Sequence, residues 1–338
     1  MQHEIVKSAA LLDKNGNIAE PGWARSLISR YSRADIKAHP LRIKEWDYYL
    51  ISNDRFALAL TIADNGYMGL ISASVLDFEK PWEQTTSVMT AFPMGKYKLP
   101  ETSAAGVTSY TDSRVNMRFG TANGVRRISC VFHKFLRDET LEAELTLTDE
   151  PQHSMVIATP FEKPKAFYYN QKINCMRSDG FMRLGGKTYD FSEEDSFATL
   201  DWGRGVWTYD NTWYWGNGNG TVNGHRVGFN IGYGFGDTSA ASENMIIYDG
   251  TAHKLSKVSF NIPADSYTKP WTFTSNDGRF EMNFVPVIDR AARTNALIIE
   301  SDQHQVFGRF TGKMVLDGGE IIELKDFMGF AEKVHNRY

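Results

Sequence analysis

The sequence is poor in the features that mark several protein classes. It has two cysteines in 338 residues, Cys130 and Cys175, too few for a disulfide framework in a chain long enough to do without one. No apolar run approaches the ~20 residues that span a bilayer. Met1-Gln2-His3-Glu4 is not the basic start of a secretory leader, so a cytoplasmic protein with no membrane span is predicted. An excess of charge of either sign is also lacking. With 37 Lys+Arg against 41 Asp+Glu, the net charge of −4 gives no electrostatic reason to expect nucleic acid or an anionic membrane as partner. The eight histidines are scattered with no His-x-His or His-x-x-x-His pair, so no metal site is predicted. No Gly-x-Ser-x-Gly elbow occurs, and Gly216–Gly220 lacks the Lys-Ser/Thr of a phosphate loop, so no cofactor is expected. Cys130 and His133 lie three apart on a predicted strand and face opposite sides, which excludes a local dyad.

What the sequence has is alternation. Runs with a period of two cover Trp46–Ile51, Phe56–Ile62, Tyr67–Leu76, Val125–Phe135, Leu141–Leu147, Phe167–Met176, Val227–Phe235, Lys254–Ile262, Phe280–Val285 and Gln305–Val315. Turn-forming pairs punctuate them: Asn65-Gly66, Asn123-Gly124, Asp179-Gly180, Gly185-Gly186, Asn223-Gly224, Asp249-Gly250, Asp277-Gly278 and Gly318-Gly319. Such pairs tolerate the positive φ of two-residue hairpin loops. Only Trp23–Tyr31 and Asp289–Asn295 carry short helical patterns. The prediction is an all-β, antiparallel chain. One up-and-down barrel uses ~150–180 residues, so two tandem barrels packed together are expected. The polar stretch Asp190–Ser196 divides them into residues 1–190 and 191–338.

The composition stands out in one respect: 13% of the residues are aromatic, and half of the eight tryptophans fall between positions 202 and 215. Trp213 and Trp215 would share one strand face, with Tyr214 on the other. The small polar residues among these rings suit an aromatic-walled ligand site; a core plug or interdomain seam is the plainer alternative. In the first reading Trp202, Trp207, Trp213 and Trp215 bind a hydrophobic or amphipathic small molecule, joined by Trp46 and Tyr48. A carboxyl group among indoles stays protonated because burial disfavours its charge, and ring faces stabilise a developing cation. Asp201, Tyr209 and Asp210 are therefore the acid–base candidates. Arg204 either braces Asp201 in a buried pair or grips a ligand carboxylate through its planar fork. Glu332 is expected to pair with Arg337 or Lys333. The chemistry open to such a site is that of a cofactor-independent isomerase, cyclase or hydratase-like lyase. The alternatives are a carbohydrate-binding or carbohydrate-active protein with Trp platforms, and a non-catalytic structural or interaction module.

The chain resembles a bacterial and fungal family known as a domain of unknown function, number 2804. The matching pieces are Leu12-x-x-x-Gly16, Gly22-Trp23-Ala24-Arg25, Lys44-Glu45-Trp46-Asp47-Tyr48-Tyr49, Asp201-Trp202-Gly203-Arg204-Gly205-Val206-Trp207 with Trp213-x-Trp215, and Gly329-Phe330-Ala331-Glu332-Lys333-Val334-x-Asn336-Arg337. More distantly, the middle is similar to double-lipocalin proteins of the AttH and carotenoid-hydratase type. There a Tyr-Tyr strand (here Tyr168-Tyr169) precedes an Asp-containing, Trp-rich motif, a Trp-x-Trp strand and a Gly-bearing turn. That resemblance implies two lipocalin-like barrels and a pocket for an apolar small molecule. It does not extend to the hydratases' Asp-His-x-Trp, because Asp201 is followed by Trp202-Gly203-Arg204.

Overall fold

A computed structural model describes residues 2–296 and 299–337. Among them, strands form two antiparallel sheets, as the alternation predicts. The first holds β1 (Gly22–Ala24), β2 (Ile43–Ser52), β3 (Phe56–Asp64), β4 (Met68–Asp77), β5 (Trp82–Ala91), β6 (Gly106–Thr111), β7 (Val115–Ala122), β8 (Val125–Leu136), β9 (Glu139–Thr148), β10 (Met155–Pro160), β11 (Phe167–Leu184), β12 (Lys187–Phe191) and β13 (Phe197–Val206). The second holds β14 (Asp210–Val222), β15 (His225–Tyr233), β16 (Met245–Tyr248), β17 (Thr251–Lys254), β18 (Val258–Asn261), β19 (Trp271–Ser275), β20 (Phe280–Ala296), β21 (Ile299–Val315) and β22 (Ile321–Arg337). Each sheet curls around its own core as a lipocalin-like half-barrel. Leu58, Ile71, Phe132 and Trp202 fill the first, and Phe229, Trp271, Phe284 and Phe310 fill the second. The sheet changes between Val206 and Asp210.

Turn chemistry sets much of the register. Asn123-Gly124, Gly185-Gly186, Asn223-Gly224 and Asp249-Gly250 have positive φ at both positions and close two-residue hairpins. Asp179-Gly180 is different: it lies inside β11, where Gly180 pairs with Leu145 on one side and Phe191 on the other. A bulge between Ile173 and Met176, with Cys175 at φ 59, bends β11. Before the bend it pairs with β10 and β13; beyond it the β13 ladder ends at Arg177, and β9 and β12 take over.

The two helical patterns do not form helices. Gly22–Ala24 is a strand on β10, and the apolar residues after it, Leu27 and Ile28, pack against the first core without regular structure. Asp289–Asn295 continues β20 in register with β21. Two single 3₁₀ turns, Arg33–Asp35 and Pro40–Arg42, are the helical elements among the described residues, and no helix there is long and apolar enough to cross a membrane.

The half-barrels meet through the faces turned away from their cores. On β2, Tyr49 and Ile51 point into the first core while Tyr48 and Leu50 point out. Tyr48, Leu50 and Phe78 pack on Trp215, Phe307 and Phe330 of the second half.

Candidate functional site

The seam between the half-barrels is where this chain buries charge. On β11 the outward face reads Tyr168, Asn170, Lys172, Asn174, all buried. Lys172 and Asp201 are directly opposite in the β11–β13 register, and the ammonium lies 2.8 Å from Asp201 Oδ1. Asn170 donates to the same oxygen at 2.6 Å. The second half supplies the roof: Lys172 Nζ sits 3.9 Å from the centroid of Trp215. Trp213 and Trp215 share the seam face of β14, and Tyr214 turns inward to stack on Tyr233. Trp213 Nε1 donates to Glu332 at 3.1 Å, and Gln305 Nε2 donates to it at 2.9 Å. Burial raises the Glu332 carboxyl above its ordinary value.

Glu243 completes the cluster from the loop between β15 and β16. Its side chain is buried, and no hydrogen bond or ion pair reaches its carboxyl among the described residues. Burial pushes that carboxyl up to about 7, with Lys172 and Lys254 opposing and Asp201 reinforcing the rise. The phenols nearby are held neutral: burial lifts Tyr48 to about 12 and Tyr168 well above the usual value.

Aromatic rings close one end of the seam. Trp46 stacks on Tyr168 with ring centroids 6.1 Å apart and meets Trp207 edge-on at 5.3 Å. This needs Gly203, since a Cβ there would land inside the Trp46 ring. At the other end, amides join the sheets. Asn174 donates to Asn217 at 3.1 Å and to Asn219 at 2.8 Å; Thr199 donates to Asn217 at 2.8 Å. Trp215 Nε1 donates to Asn230 at 2.7 Å.

A family described as Domain of unknown function (DUF2804) matches residues 2–338. The chain belongs to that family. No curated protein matches it. Among solved structures it is similar to a Nitrosomonas europaea protein assigned as AttH, with 11% identity, 90% of this chain and 96% of that one covered, and a TM-score of 0.50. It is also similar to kievitone hydratase from Nectria haematococca, with 10% identity, 98% of each chain covered and a TM-score of 0.46. The first of these likenesses is one of fold: the AttH-type double lipocalin.

In this DUF2804 protein the residues singled out from sequence fall in three places. Asp201, Trp46, Tyr48, Trp207, Trp213 and Trp215 come together at the seam. Trp202 and Arg204 lie on the opposite face of β13, in the first half-barrel. Positions 201 and 204 are an odd number of residues apart, so a strand separates them, and the expected Asp201–Arg204 pair does not form. Arg204 is engaged through both terminal nitrogens instead, while its Nε makes no hydrogen bond among the described residues and lies 4.0 Å from Glu45 Oε1. It donates to the carbonyls of Trp46, Gly203 and Pro100, each at 2.8 Å, and to Asp47 at 3.0 Å, and its guanidinium covers Trp202. Tyr209 and Asp210 are exposed, with Asp210 beside Arg337 and His335. Glu332 turns into the seam rather than toward Arg337 or Lys333.

Sequence reasoning missed Lys172 and Glu243. The first had a signal, a polar alternate face in a strand whose other face is apolar. The second had none, because Ser239–Asn244 carries no motif. Among the described residues no cluster could hold a metal ion.

Proposed function

We propose that the seam binds a hydrophobic or amphipathic small molecule and that Glu243 is its proton donor. The observation that carries this reading is the Glu243 carboxyl, which no hydrogen bond or ion pair reaches among the described residues and which burial lifts to about 7, within electrostatic reach of the Lys172–Asp201 pair. An acid of that strength is about half protonated at neutral pH, able both to give a proton up and to take one back. The Lys172–Asp201 pair would hold a polar end of the ligand, and the Trp46, Trp213 and Trp215 rings would stabilise positive charge formed on it. The chemistry is cofactor-free acid–base isomerisation, cyclisation or hydration. Both terminal nitrogens of Arg204 are taken by Trp46, Gly203, Pro100 and Asp47, so its planar fork is closed to a ligand carboxylate and it acts as a brace. The seam tryptophans are packed ring against ring rather than presented as open platforms, which favours an apolar ligand over a sugar.

Native mass spectrometry of protein purified from its own host tests the reading. The expected result is a small apolar adduct that wild type turns over and Glu243→Gln binds but leaves unchanged. Equal turnover by both proteins would remove the proton-donor role. Absence of any adduct would favour the second reading, a purely structural seam, which the amide contacts among Asn174, Asn217 and Asn219 support.

A further inference from the structure

The connection from β15 to β16 runs through residues 234–244, where the hairpins on either side of it, β14–β15 and β16–β17, use two residues. That is well beyond the roughly two to five residues usual for a hairpin loop. Gly234 and Gly236 stand at its start with φ 94 and 76, in the left-handed region. A Cβ at 234 would lie 2.8 Å from Thr212 O, and one at 236 would lie 2.7 Å from Thr159 Cγ2. Between them, Phe235 is buried in a box of rings. Its centroid lies 4.8 Å from Trp207, 4.8 Å from Tyr168, 5.1 Å from Phe161 and 5.3 Å from Trp213, every pair edge-to-face.

The two ends of the loop are held differently. At the far end Asn244 accepts from Gly232 N at 2.7 Å and donates to Ser256 O at 2.7 Å, so Glu243 is anchored to the sheet. The tip is pinned by contacts from outside the second sheet: Asp237 N to Pro160 O, Ala240 O to His3 N, and Ser242 N to Gln2 Oε1. An open groove of about 570 Å³, bounded by Gln2, His3, Glu4, Trp23 and Lys254, runs along that flank.

We propose that Phe235 is an internal stand-in for the ligand: residues 235–242 form a flap hinged at Gly234 and Gly236, and an apolar six-membered ring of the ligand takes the place of the Phe235 ring when the flap lifts. The ligand's identity as a seam binder rests on the reading above; the box and its occupant do not. Four edge-to-face partners fit a ring and give a linear chain no such contacts, which narrows the ligand to a molecule bearing an aromatic or alicyclic ring. Because Glu243 lies at the end anchored through Asn244, with its own carbonyl accepting from Asn230, flap opening leaves the acid in position.

Toluene is the probe and n-heptane, with the same number of carbons, the linear control, with binding followed by ligand-detected NMR and flap opening by hydrogen exchange of 235–242. Gly236→Ala strains the closed flap without touching the box, so it raises the fraction of open protein. The expected outcome is toluene binding about tenfold tighter than in wild type, faster exchange of the flap, and no gain for heptane. Phe235→Leu fits the box less well and should tighten toluene binding without backbone strain, a second route if Gly236→Ala does not fold. Faster exchange with unchanged toluene affinity, or heptane matching toluene, would overturn the proposal. Toluene binding to none of the proteins would remove the ring subsite and leave the Glu243 experiment, which uses the host-derived adduct, intact.

Discussion

Replacing Glu243 by Gln changes the pH dependence of stability in a direction the structure dictates. Burial lifts this carboxyl from 4.5 to about 7. Below pH 4.5 it is protonated in folded and unfolded chains alike, and its contribution is at its most favourable. Between 4.5 and 7 the unfolded chain gives up the proton while the folded chain keeps it. The folded state then binds more protons, and stability falls as pH rises. Above 7 the loss is complete. A shift of this size corresponds to about 3 kcal/mol at roughly 1.4 kcal/mol per pKa unit. Gln is neutral throughout, so wild type should lose about 3 kcal/mol relative to Glu243→Gln between pH 4.5 and pH 8. Lys254 is lowered to about 7 chiefly by its burial and is held up in part by the Glu243 charge, so its titration falls further in Glu243→Gln and the two groups are read together in the difference. Urea unfolding of both proteins at half-unit pH steps measures it. A difference that stays flat across that range would show that the carboxyl is solvated in solution, and the argument for a poised acid would fall with it.

Arg204→Met strands the buried Asp47 carboxylate and should cost ~3–5 kcal/mol in urea unfolding, whereas Asp210→Asn, at the exposed start of β14, should stay within ~0.5 kcal/mol. Gly203→Ala drives a methyl into the Trp46 ring; the expected cost is ~1–3 kcal/mol or more, with a changed near-ultraviolet Trp signal, and an unchanged spectrum would refute the close packing.

The all-β architecture of paired half-barrels was legible because its determinants are local: alternation along each strand, and turn pairs such as Asn223-Gly224 that admit one loop geometry. What alternation cannot reveal is which neighbour each face meets. Trp213 and Trp215 were correctly placed on one face, yet only tertiary packing makes that face a seam rather than a barrel lining. The same rule separates Asp201 and Arg204 once Phe197–Val206 is known to be a strand, but that stretch is not among the alternating runs of the sequence, so their pairing stayed open there. Asp179-Gly180 looked like a turn because Gly serves equally where another backbone comes close; a Cβ on Gly180 would strike Glu144 O. Glu243 owes its character chiefly to burial, and beyond that to charges on Lys172, Asp201 and Lys254 brought in by the fold, and no local pattern encodes that.

The β2–β13 ladder has a consequence for how the chain is made. Its ten partners run from Ile43↔Val206 to Ser52↔Phe197, so the first sheet acquires its central strand last. During synthesis β2 and the leading part of β11 must wait, each with an unpaired edge, until residues 197–206 leave the ribosome. Ladders that join such distant segments form slowly, and open edges invite pairing with other chains. Chaperone dependence should therefore peak while the stretch between β11 and β13 is being translated, and a nascent chain stalled before Phe197 should be more prone to aggregate than one stalled after Val206.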